Sequence, residues 1–200
     1  FSPATVSHTI DDAEGAARLV SVATDPANAL EVTTELVLEP AGLVRLRATV
    51  TNLGDDAYEV VALEPALPVP ASAVELLDMT GRHAHERAPQ RHPFRHGRWT
   101  REAWGGRPGH DSATVLCAGE TDFGFRRGTV WGVHLAWSGN HQQTIEWLHD
   151  GQYQWQFGEW LAPGEGRLAP GASLTTPELV ASCSDEGLDG LAANFHAALR

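Results

Sequence analysis

The sequence predicts an all-β sandwich, and three observations carry that prediction. Apolar and polar residues alternate with period two in several segments, as on a half-buried strand. Pro-Gly turn signals recur at short spacing, seven residues apart at Pro163-Gly164 and Pro170-Gly171. Helical periodicity is confined to the last stretch of the chain.

Residues 30 to 38 alternate, with Val32, Thr34, Leu36 and Leu38 on one side and Glu31, Thr33 and Glu35 on the other. Val44, Leu46, Ala48 and Val50 repeat the pattern against Arg45, Arg47 and Thr49. Between them, Glu39-Pro40-Ala41-Gly42 supplies a fixed φ at Pro and a tolerated positive φ at Gly, so the two segments are expected to form an antiparallel hairpin. Thr51 to Asp56 is the next turn, and Tyr58 to Leu63 is expected as a third strand. Gly128 to Trp137 is apolar on both faces and has the length of a buried strand. Gln152 to Phe157 sets three amides against Tyr153, Trp155 and Phe157, which predicts a strand with an aromatic core face. Leu188, Leu191, Ala192, Phe195, Ala198 and Leu199 fall on one face of a helix, with Ser184 or Asp185 as its expected cap.

The chain has 200 residues and a formal net charge of −12. That is enough chain for a core without metal or disulfide staples. All 14 basic residues are Arg, which excludes a Schiff-base lysine and a P-loop lysine. The acidic balance argues against nucleic acid or an anionic membrane as partner. No run approaches the ~18 apolar residues of a membrane span. Cys117 and Cys183 read as two small half-buried thiols, because they lack disulfide-framework or metal-site spacing. The chain opens on Phe1 instead of Met and runs helical into Arg200, which reads as an excised fragment or a processed product. The protein is expected to be soluble and cytoplasmic.

The charge is uneven. Residues 82 to 110 hold seven Arg against Glu86 and Glu102, a net of +5 that leaves −17 elsewhere. Its part from Gly81 to His96, polar and Pro- and Gly-punctuated, is expected to be an exposed loop. His83, His85 and Glu86 within it have ligand chemistry, but the surrounding arginines oppose a divalent cation, so no metal is expected. His110-Asp111-Ser112 has the ingredients of a hydrolytic triad. Adjacency in sequence is no evidence for one, and no nucleophile elbow is present. Of the seven tryptophans, Trp155 is assigned to the core with Tyr153, while Trp99 and Trp104 in the basic stretch are candidates for an exposed contact with sugar or protein.

The ordered string Leu67-Pro68-Val69-Pro70, Gly81-Arg82, Arg101-Glu102, Gly105-Gly106-Arg107, Gly109-His110-Asp111 and Trp131 through His141 resembles the N-terminal domain of family 36 glycoside hydrolases, the microbial α-galactosidases. Its most specific piece is Trp137-Ser138-Gly139-Asn140-His141 at the end of an apolar strand that includes Trp131. The resemblance implies a large two-sheet β-supersandwich of galactose-mutarotase-like type over residues 1–183, with its first strands missing. An amphipathic helix over 184–200 would lead to an absent (β/α)₈ catalytic barrel. The family's catalytic aspartates belong to that barrel, one of them in a Lys-Trp-Asp segment, so no catalytic residue is expected here. No cofactor is implied either.

The implied parent hydrolyses terminal α-galactosyl residues with retention, as in melibiose or raffinose. The domain's implied partners are its own barrel and neighbouring subunits. Arg82, Trp99, Arg101, Trp104, Arg107, His110 and Asp111 are the residues suited to an interface or an active-site wall. The alternative is an autonomous carbohydrate-binding module using exposed aromatics.

Overall fold

The computed structural model describes residues 1–13 and 15–200. Its strands are β1 (Thr5–Ala13), β2 (Ala16–Asp25), β3 (Leu30–Leu38), β4 (Val44–Asn52), β5 (Tyr58–Glu59), β6 (Ala66–Pro68), β7 (Glu75–Arg82), β8 (His85–Pro93), β9 (Arg98–Ala103), β10 (Val115–Gly119), β11 (Val130–Ala136), β12 (His141–Trp147), β13 (Tyr153–Glu159), β14 (Arg167–Leu168), β15 (Ser173–Thr175) and β16 (Glu178–Ser184). One helix, α1 (Gly187–Ala198), follows. Among the described residues these strands make a ten-stranded antiparallel sheet in the order β1-β2-β3-β4-β16-β11-β10-β7-β8, with β15 also on β4. A four-stranded sheet, β6-β13-β12-β9, and a short β14-β5 pair complete the set.

The alternating segments behave as their pattern dictates. Leu30 to Leu38 pairs with Val44 to Asn52 across a turn in which the Gly42 amide donates to Glu39 O at 2.9 Å. Leu46, Ala48 and Val50 are buried, while Arg45 and Arg47 point outward to Glu178. The two large sheets face one another. Leu46, Leu76, Leu116, Val133, Leu135 and Leu179 of the ten-stranded sheet pack on Ile145, Trp155 and Phe157 of the four-stranded one. Burial of such side chains stabilises by about 1.5–3 kcal/mol each. The all-β two-sheet architecture with a C-terminal helix is thus the one expected.

Helix α1 covers the outer face of the large sheet. Leu191 packs with Leu77, Cys117, Phe123 and Val130, and a Cβ placed on Gly132 would meet Leu191 Cδ2 at 2.7 Å. The glycine in β11 is what lets the helix approach. The helix begins at Gly187, later than 184, and neither Ser184 nor Asp185 caps it. The N-cap position is Glu186, without a side-chain cap. Instead the Leu188 and Asp189 amides donate to Gly124 O and Phe125 O at 3.0 and 2.8 Å. Gly187 holds φ at 75°, and a side chain there would collide with Gly124 O at 2.4 Å. Backbone carbonyls of the β10–β11 connection therefore satisfy helix amides left without intrahelical partners.

Two expectations change. The strand expected over residues 58 to 63 is only Tyr58–Glu59, because its partner β14 offers two residues. The segment over 81–96 is not a loop: most of it belongs to the β7–β8 hairpin, and β8 and β9, which carry most of the basic stretch, are edge strands of the two sheets. Pro89, Pro93, His and Arg suit an edge, where a missing N–H is harmless and charge discourages further pairing. Among the described residues, no helix is long and apolar enough to cross a membrane.

Candidate functional site at the end of the small sheet

The last rung of the four-stranded sheet joins Ala103, His141 and Glu159. One residue beyond that rung, the three strands project Trp104, Asn140 and Trp160 side by side. Trp104 and Trp160 stack with centroids 3.6 Å apart and planes tilted by 45°. Asn140 ties the row together: its O accepts from the Trp160 amide and from Trp137 Nε1, both at 3.1 Å, and its Oδ1 accepts from the Gly106 amide at 2.7 Å. A Cβ on Gly139 would meet Trp137 Nε1 at 2.5 Å, so glycine is needed for Trp137 to fold over the turn. Trp104 remains 55% exposed, with Nε1 donating to Glu102 Oε2 at 2.8 Å.

Carboxylates flank this aromatic row. Glu64, with only 13% of its side chain exposed, accepts from Gln142 Nε2 at 3.1 Å and lies 3.9 Å from Arg98. Burial pushes its carboxyl above the ordinary range, Arg98 pulls it down, and nearby Glu102 adds to the rise. Burial and Glu165 raise Glu159 likewise. The chemistry on offer is an indole surface edged by hydrogen-bond acceptors, suited to a hydroxyl-rich ligand or to an interface anchored by tryptophan.

Of the residues singled out from sequence, Trp104, Trp137, Gly139 and Asn140 come together here, with exposed Ser138 in the same turn. Arg107 is exposed in the loop beyond Gly106. Others are engaged within the fold. Arg101 crosses from β9 to the buried Asp78 of β7 in a two-pronged pair, one bond at 3.3 Å, and its guanidinium lies 5.6 Å from the Trp99 ring. Trp99 and Trp131 are half-buried against the main core. Arg91 bonds Glu75 at 3.0 Å and Phe123 O at 2.7 Å. Arg82 is exposed at the turn of the β7–β8 hairpin. His110 and Asp111 are exposed, and Asp111 O accepts from Thr80 Oγ1 at 3.3 Å. Trp160 and Glu64 lie outside the motifs that the sequence offers. Only the register that sets Asn140 beside Trp160 reveals the first, and only burial the second.

The sequence matches the glycosyl hydrolase family 36 N-terminal domain over residues 2–169. The chain belongs to this family. Its relatives are α-galactosidases. That of Escherichia coli is 33% identical over 199 residues, 100% of this chain and 28% of that protein. Alpha-galactosidase 2 of Pediococcus pentosaceus is 31% identical, over 80% of this chain and 22% of that protein. In fold, the family 36 domain superposes on the crystal structure of α-galactosidase AgaA from Geobacillus stearothermophilus with a TM-score of 0.86 at 23% identity, over 96% of this chain and 30% of that one. The Lactobacillus brevis α-galactosidase gives 0.84 at 24%, over 96% and 26%. The chain thus spans less than a third of these relatives.

Proposed function

We propose that the chain is the non-catalytic N-terminal sandwich of an α-galactosidase of carbohydrate metabolism, acting in the cytoplasm on terminal α-galactosyl groups such as those of melibiose and raffinose. In this reading residues 1–183 form the sandwich and residues 184–200 lead into a catalytic (β/α)₈ barrel, which supplies both catalytic carboxylates. The observation that carries the reading is the full-length match of this chain to 28% of an α-galactosidase. A barrel needs ~250 residues of its own.

Two surfaces support a packing role. One is the Trp104–Asn140–Trp160 row, which we assign to the active-site wall or to a neighbouring subunit. The other is an apolar hollow of about 670 Å³ between α1 and strands β7, β8 and β10, lined by Met79, Pro89, Val115, Leu188, Phe195 and Leu199. It is suited to covering by the barrel.

The test is made in the full-length enzyme with Trp104→Ala and Arg107→Ala. A fall in assembly or in kcat/KM of about tenfold or more supports the wall or interface role. Unchanged assembly, substrate affinity and turnover in both variants sink it. Arg101→Ala is unsuitable for this purpose, since Arg101 holds the two sheets together.

A further inference from the structure

The turn of the β7–β8 hairpin and the loop after β9 converge on a feature separate from the tryptophan row. His83, Glu86 and His110 each offer one ligand atom, and the three atoms all lie within 4.8 Å of one another. Glu86 Oε1 is 3.9 Å from His83 Nδ1 and 3.7 Å from His110 Nδ1. We infer that these side chains form a zinc site that clamps the loop carrying Trp104 and Gly106 to the hairpin turn.

The donor set is the first argument. Two imidazoles and one carboxylate, with a position left for water, is a combination that binds Zn²⁺ in preference to hard cations. The spacing is the second. Tetrahedral bonds of about 2.0–2.1 Å put ligand atoms roughly 3.3 Å apart, so the separations from Glu86 close by about 0.4 and 0.6 Å, and that between the two histidines, within 4.8 Å, by up to about 1.5 Å. His83, 93% exposed, is free to make that adjustment.

The carboxylate is held for the task. Glu86 Oε1 accepts the Ala84 amide at 2.8 Å, in a turn where Ala84 and Arg87 both take left-handed backbone angles, φ 62° and 59°. In the sequence, His83, His85 and Glu86 lie close together and no metal is expected of them. The fold instead brings His110 from another loop, while His85 sits opposite Arg82 in the hairpin ladder. Arg82 and Arg87 flank the site and oppose a cation, but both are exposed, and solvent and salt screen them. Asp111, next to His110, offsets part of their field.

The site goes beyond the proposed α-galactosidase role and does not depend on it. The test uses the 200-residue chain, free of any histidine tag and stripped of metal, titrated with ZnCl₂ in a calorimeter and with CoCl₂ in an absorption spectrometer. Expected are one equivalent of zinc at micromolar affinity and the intense visible band of tetrahedral cobalt. Loss of an outer-shell partner alone weakens metal sites 10–100-fold, so His83→Ala and His110→Ala are each expected to cost ~100-fold or more, while Cys183→Ser changes nothing. Glu86→Gln, which keeps an acceptor for the Ala84 amide, is expected to bind weakly with the turn intact. No saturable uptake by the parent chain, or equal uptake by the two histidine variants, overturns the assignment.

Discussion

Ser112 Oγ and His141 Nε2 stand 3.0 Å apart in the interior, and neither side chain is exposed. His141 Nδ1 lies 3.1 Å from Gly139 O. A carbonyl only accepts, so Nδ1 carries the proton and Nε2 accepts from the Ser112 hydroxyl. The pair resembles a nucleophile and its base, yet no substrate reaches it. Its work is to fasten the start of β12, and with it the Trp137-to-Asn140 turn, to the segment that enters β10.

Removing the hydroxyl with Ser112→Ala leaves His141 Nε2 without its partner in the buried interior. The expected cost is about 1–3 kcal/mol, read as a lower urea midpoint with unchanged slope. A fluorophosphonate probe is expected to leave the native chain unlabelled.

Stability is expected to fall as the pH drops below about 6.5. Burial holds His141 and His134 below the ordinary imidazole range, against smaller opposing pulls from Gly139 O and Asp111 on the first and Thr114 O on the second. Below that pH the unfolded chain therefore binds protons that the native one refuses, and the loss continues until the native pKa values are reached. Glu64 and Glu159, raised by burial, act in the opposite sense as pH falls through their native values toward ~4.5. Denaturant midpoints at pH 8.0, 6.5 and 5.5 check the sign: a midpoint that rises across this range on acidification contradicts it.

Arg101→Ala is expected to destabilise by on the order of 3 kcal/mol, because it strands Asp78 in the interior. The double variant Asp78→Asn, Arg101→Met is expected to recover much of the loss. If the single and double variants unfold at the same denaturant concentration, the inter-sheet pair is not what matters.

Gly132→Ala is expected to force Leu191 and α1 away from the large sheet, at a cost of about 1–3 kcal/mol. Hydrogen exchange of the α1 amides should quicken more than that of β12.

Much of this fold is legible in the sequence because its information is local. The β3–β4 hairpin and the aromatic face of β13 follow from side-chain alternation within a few residues, and β11 from an apolar run of strand length. What stays hidden depends on pairing. Nothing near Arg101 announces Asp78 on the opposite sheet, and β8 has no apolar alternation because an edge strand buries so little. The candidate site divides the same way. Trp104 and Asn140 stand out as motif residues, whereas Trp160 joins them only through the β12–β13 register, and His110 reaches Glu86 only through the course of a loop.

The non-catalytic role is tested most directly by hydrolysis of an aryl α-galactoside by the 200-residue chain alone, prepared in a host that lacks the activity. Enzymes commonly turn over at 1–10³ s⁻¹, far above the background of such an assay. No release above that background is expected at any pH. Turnover that co-purifies with the folded chain, and disappears when it is unfolded, would contradict it.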